Sequence, residues 1–84
     1  MRARQDGLMW SEIDDKVVLL DLASAEYLSL NRSGTRLWLA VQQKRTVDEL
    51  VDELVAAYGI DRPRAHDDVD RFVEHLRASN LLEE

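Results

Sequence analysis

Cysteine is absent from the 84 residues, which excludes a disulfide framework, a cysteine-based zinc or iron–sulfur site and a thiol nucleophile together. The same absence fits a reducing, cytoplasmic setting. Glycine occurs only at positions 7, 34 and 59, too widely spaced for a loop that cradles phosphate, and no G-x-S-x-G elbow presents a serine. Long apolar runs are missing too. Val17 to Leu20 is broken at Asp21, so neither a secretory signal nor a membrane span is expected. Basic charge is scarce: 11 Lys and Arg stand against 17 Asp and Glu, a formal net charge of −6, which disfavours phosphate backbones and anionic lipid as partners. With 45% hydrophobic residues the chain can build a core, but a domain this small buries only about 60% of its unfolded surface. One small domain is expected, with no deep catalytic chamber and no cofactor.

What is present reads as strands followed by helices. LMWSEI (Leu8 to Ile13) and VVLL (Val17 to Leu20) flank Asp14 and Asp15, which supply turn chemistry, so the two runs form a hairpin. Because strand side chains alternate, four successive apolar residues predict a central strand covered on both faces. EYLSL (Glu26 to Leu30) alternates, with Leu28 and Leu30 on one side and Tyr27 and Ser29 on the other, as an edge strand does. Asn31 or Ser33 can cap a helix from about Gly34 to Lys44. Thr46 and Glu49 form a capping box ahead of Val47, Leu50, Val51, Leu54, Val55 and Tyr58, and Gly59 ends that run. Pro63 suits the first turn of a third helix, 63–79, whose apolar stripe is Ala65, Val69, Phe72, Val73 and Leu76. Leu81 and Leu82 are expected to fold back on the core. Residues 1–7 read as a flexible lead-in and 8–84 as one α+β domain, a three-stranded antiparallel sheet followed by three helices, like a winged helix-turn-helix. A meander of three strands leaves an uncovered edge with unpaired N–H and C=O groups.

Chemical signatures are weak. His66, Asp67, Asp68, Asp70, Glu74 and His75 imitate a metal or acid–base cluster, but at 100° per residue the two histidines lie half a turn apart and cannot share an ion. A solvated helix face is the simpler reading. Duplex DNA is disfavoured by charge: residues 1–45 carry seven basic and six acidic side chains, net +1, and 46–84 carry four and eleven, net −7. Of the aromatic residues, Trp38 and Tyr58 fall on helical core faces, whereas Trp10 and Tyr27 sit on strands where they could pack inside or line a groove.

The run VLLDLASAEYLSLNRSGTRLWLAV, Val18 to Val41, resembles the PqqD-like family through Leu19, Leu20, Tyr27, Leu30, Asn31, Gly34 and Trp38. TVDELVDELVAAYGI resembles that family's second helix, and DDVDRFVEHLRASNLL its last, with Asp68, Val69, Phe72 and Leu76 on the pattern. The likeness covers nearly the whole chain from about Leu8. It implies a recognition element for ribosomally made, post-translationally modified peptides, not an enzyme, in which the leader of a precursor peptide adds as a strand beside the third strand and packs on the third helix. Carried onto this chain, the strand side is Glu26, Tyr27, Leu28, Ser29 and Leu30, and the helix side is Asp68, Val69, Phe72, Val73 and Leu76. DLASA before Glu26, in place of a Pro-Glu, resembles the free-standing leader-binding branch of split lasso-peptide systems. Such a protein would have a leader peptidase or other maturation enzyme as its second partner, and no nucleic acid or membrane. Ala25 departs from the pattern, standing where many relatives have a turn glycine. The competing readings are a small winged-helix DNA-binding regulator, a chaperone for another class of modified peptide such as the pyrroloquinoline-quinone type, and an adaptor for an unrelated folded protein.

Overall fold

The computed structural model describes residues 2–83. In chain order they form β1 (Arg2–Ala3), β2 (Leu8–Ile13), β3 (Lys16–Asp21), β4 (Glu26–Ser29), α1 (Arg32–Val41), α2 (Val47–Tyr58), α3 (Arg62–Ala78) and β5 (Leu82–Glu83). The main sheet is antiparallel with the order β2-β3-β4, the three-stranded meander expected from the sequence. Asp14 and Asp15 turn the first hairpin with φ of 52° and 65°. Two successive positive φ values match the twist of a two-residue hairpin, and aspartate tolerates them better than bulky residues do. Ala25 also adopts a positive φ, 59°, where a glycine would fit without the steric cost of a Cβ.

Register decides what the sheet buries. Trp10 stands opposite Leu19, and Leu19 opposite Leu28; Met9 stands opposite Leu20, and Leu20 opposite Tyr27. Directly opposed residues share a face, so the Trp10–Leu19–Leu28 row looks toward the helices and the Met9–Leu20–Tyr27 row looks away. β3 is central, but the expectation of cover on both its faces is corrected. Val17 and Leu19 are buried while Val18 and Leu20 are only half-buried, because the helices pack on one side of the sheet alone.

Asn31 caps α1 by accepting from the Gly34 N–H at 2.8 Å, so the helix begins at Arg32, ahead of the expected start. It also ends at Val41, short of Lys44, which takes a φ of 58° in the turn that follows. Gly34 fits this cap closely, since a Cβ there would lie 3.1 Å from Asn31 Oδ1. The next residue, Thr35, is buried and its Oγ1 accepts the Val17 N–H at 2.8 Å. That bond joins α1 to the central strand. Thr35→Val keeps the shape but leaves the buried Val17 N–H unpaired, so a loss of about 1–3 kcal/mol is expected in urea unfolding.

The capping box of Thr46 and Glu49 opens α2, and Gly59 closes it with φ 63°. Asp61 caps α3, with Pro63 in its first turn. The core gathers Val17, Leu19, Trp38, Leu50, Leu54, Val69 and Leu76 into one cluster, with Leu81 buried and Leu82 packed against it. Tyr58, expected on the core face, is instead 46% exposed, with its ring over the Arg36 guanidinium at 5.9 Å; it sits in the last turn of α2, beyond the core. The segment read as a flexible lead-in contributes β1, whose Arg2 and Ala3 pair antiparallel with Glu83 and Leu82. Ala3 is buried there.

Candidate functional site

β4 is an edge strand. The Leu30 N–H donates to Val17 O at 2.9 Å, and antiparallel strands turn alternate backbone groups to alternate sides. Glu26, Leu28 and Leu30 therefore bond toward β3, while Tyr27 and Ser29 turn their N–H and C=O groups outward. No strand among the described residues takes that side of β4. On the other bank α3 packs on α2 and α1, leaving a groove between itself and the strand.

The groove opens into a cleft at each end of β4. One, of about 390 Å³, is lined by Ser29, Leu30, Gly34, Leu37, Leu54, Asp68, Arg71, Phe72 and His75. The other, of about 530 Å³, is lined by Arg4, Leu8, Leu19, Asp21, Glu26, Tyr27, Leu28 and residues 78–81. Four residues of strand span roughly 13 Å, so an extended segment of about four to six residues would reach from one cleft to the other. Leucines and Phe72 give the clefts an apolar floor, and several of the rim charges are paired. Asp68 accepts from Arg71 one turn along α3. Arg4 makes a two-point contact with Asp21, at 3.0 and 3.2 Å, and also donates to Asn80 O and Gly7 O. It thus ties the N-terminal segment, the end of β3 and the exit of α3 into one frame. The Arg4 hydrogen bonds hold the Asp21 carboxyl below the usual carboxylate range.

Of the positions singled out from sequence, Glu26, Tyr27 and Leu28 line the wider cleft, and Ser29, Leu30, Asp68 and Phe72 the narrower one. Val69, Val73 and Leu76 line neither and are buried in the core. The structure adds Arg71 and His75 on α3, and Arg4, Asp21 and residues 78–81 at the far end. A signal existed for the helix residues: Asp68, Phe72 and His75 recur at i, i+4 and i+7, on the face beside the apolar stripe. Tyr27 is 75% exposed, and Trp10 is partly exposed with its ring edge-to-face against Trp38 at 6.1 Å, so Tyr27 borders the groove and Trp10 packs inward.

Elsewhere the chemistry is sparse. His66, Asp67 and Asp70 bring ligating atoms within 4.8 Å of one another, but all three are exposed, and His66 Nδ1 already lies 3.1 Å from Asp70. His75 lines the groove instead, away from that group, as the half-turn argument requires. A further cleft of about 460 Å³, between the first hairpin turn and α1–α2, includes Arg36, Arg45 and Glu53, which pair with one another. No described helix is long and apolar enough to cross a membrane.

The model of the family described as coenzyme PQQ synthesis protein D (PqqD) matches residues 16–82. A solved structure described as TbiB1 in complex with the TbiA(β) leader peptide is similar at 35% identity and a TM-score of 0.90, over 99% of this chain and 95% of that one. A second, described as lasso peptide synthetase B1 complexed with the leader peptide, shares the fold at 23% identity and a TM-score of 0.88, over 99% of this chain and 96% of that one. No curated protein sequence matches.

Proposed function

The chain belongs to the PqqD family, and on that premise we propose that it binds, without catalysing any reaction, the leader segment of a ribosomally synthesised precursor peptide in lasso-peptide maturation. The observation that carries this reading is the free edge of β4 facing the Phe72 side of α3 across an apolar floor. An extended peptide laid along that edge would bond through its main chain to the outward N–H and C=O groups of Tyr27 and Ser29. Its alternate side chains would enter the two clefts, and the remainder would face outward. Backbone bonds give affinity for any extended chain, and the pockets select its side chains. The similar structure at 35% identity holds a leader peptide, which supports this assignment.

Holding the leader would make the next encounter of the precursor with its maturation enzyme effectively intramolecular, and such linkage raises engagement by orders of magnitude with no new chemistry. The acidic face of α2, with Asp48, Glu49, Asp52 and Glu53, fits a solubilising surface.

The test is fluorescence polarisation with a labelled leader from the short open reading frame beside the gene. Proline is tolerated on an edge strand where its missing N–H faces solvent, so Ser29→Pro should fold normally by circular dichroism. It should nonetheless weaken leader binding about tenfold, through one lost hydrogen bond and a ring set in the peptide's path. Salt-sensitive binding to duplex DNA, with no response to the leader, would instead favour the regulator reading.

A further inference from the structure

The two clefts of the groove differ in charge. Arg4, Asp21 and Glu26 are the charged residues lining the wider one. An arginine carries five N–H donors, and all of those on Arg4 are taken: Nε by Asp6 O, Nη1 by Asp21 Oδ2 and Asn80 O, and Nη2 by Asp21 Oδ1 and Gly7 O. Arg4 and Asp21 thus cancel each other's charge and leave no donor for a visiting group. The Glu26 side chain is exposed and meets no cation or hydrogen-bond donor among the described residues. In the narrower cleft the carboxylate, Asp68, is matched by Arg71. Among the described residues, the clefts therefore present one unmatched carboxylate, at the wider end.

We infer that Glu26 selects leader peptides that place a lysine or arginine beside it, two positions from an apolar side chain. The inference rests on the peptide-binding reading. Glu26 stands opposite Asp21 and Leu28 opposite Leu19, both on the helix-facing side of β4, and residues set side by side on adjacent strands share a face about 4.8 Å apart. A peptide residue beside Glu26 therefore points into the wider cleft, over that carboxylate. The residue two positions along lies beside Leu28 above the leucine floor, where an apolar side chain fits. The residue between them turns away.

Other side chains fit this position less well. An acidic one would face Glu26, and Arg4 could answer it only by giving up a bond to Asp21, Asn80 or the N-terminal segment. A neutral apolar one would cover the Glu26 carboxylate without pairing it, which costs binding free energy. A lysine or arginine lays its apolar stem along the leucines while its charged head reaches the carboxylate. The charge of the whole chain, −6, acts in the same direction by drawing a basic peptide toward the protein.

The experiment uses the labelled leader from the short open reading frame beside the gene, and a set of its variants in which each lysine or arginine in turn becomes glutamate. Affinities for the parent protein and for Glu26→Gln, Glu26→Lys and Glu12→Lys are read by polarisation, with folding checked by circular dichroism. Glu12 lies on β2, outside the two clefts of the groove, and its reversal changes the net charge as much as Glu26→Lys does. Glu26→Gln should weaken the unaltered leader about twofold to fivefold, the range of an opposite-charge cross-strand pair. Glu26→Lys should weaken it at least tenfold, and Glu12→Lys less than twofold. One charge-reversed leader, altered two positions from an apolar residue, should bind the parent at least tenfold more weakly than the unaltered leader does, and should bind Glu26→Lys at least threefold more tightly than it binds the parent. A leader that binds the parent yet has no basic residue at that spacing would overturn the inference. So would an equal loss in Glu12→Lys and Glu26→Lys, or the failure of every charge-reversed leader to regain affinity on Glu26→Lys. A parent protein that binds no leader sinks the peptide-binding reading itself, an outcome distinct from these.

Discussion

Trp38→Ala is expected to destabilise the protein by about 3–5 kcal/mol, a large part of the roughly 4–12 kcal/mol available to a domain of this length. Trp38 is the largest of the fully buried side chains. It projects from α1 into the one cluster that also holds Leu19 of β3, Leu54 of α2 and Leu76 of α3, and it meets the Trp10 ring of β2 edge-to-face. Truncation removes contacts to every layer at once and leaves a cavity that a small core cannot close. Its indole N–H meets no acceptor among the described residues. Trp38→Phe should therefore cost clearly less, since it keeps a ring and deletes an unpaired donor. Urea unfolding followed by far-ultraviolet circular dichroism measures both; a cost below about 1 kcal/mol for the alanine variant would contradict this account of the core.

The groove itself depends on that core, and this shapes what could be read from residues alone. Local chemistry was legible. The Thr46–Glu49 box, Gly59 and Asp14–Asp15 each settle a boundary within a few residues, with no help from distant chain. The edge strand was legible too, because the alternation of Tyr27, Leu28, Ser29 and Leu30 states which side faces inward. Pairing of β1 with β5 was not: two-residue strands separated by almost the whole chain carry no period. Tyr58 shows a different limit, since helical spacing gives the phase of a side chain but not the point where its neighbours stop. On α3 the apolar stripe identifies Val69, Val73 and Leu76, which the core consumes, whereas the groove wall is made by Asp68, Arg71 and His75 beside them. Polar residues next to a stripe look like solvated surface until another element is seen to face them. VVLL misled in a related way. An apolar run says that water is disfavoured on both faces of a strand, not that the protein itself supplies the cover, and Val18 and Leu20 stay half-open.

The sharpest test of the groove places a charge where the peptide would seal it. Leu28 lies on the helix-facing side of β4 opposite Leu19 and is only half-buried, so in the free protein Leu28→Asp can keep its carboxylate hydrated and the fold should survive. Bound peptide would cover that carboxylate without supplying a partner. Arg4, the cation lining the same cleft, is already engaged at both terminal nitrogens by Asp21, and Glu26 adds a like charge nearby. Sealing an unpaired charge in an interface costs about 2–5 kcal/mol, a loss of leader affinity of roughly 30-fold to several thousand-fold. The sign with pH follows. Burial raises the introduced carboxyl's pKa in the complex above its value in the free protein, so protonation favours binding, and affinity should recover as pH falls through the carboxylate range. Leu28→Met, close in volume and uncharged, should bind almost as the parent does. Polarisation titrations across pH would show all three effects, and a Leu28→Asp affinity within threefold of the parent would mean that the peptide lies elsewhere.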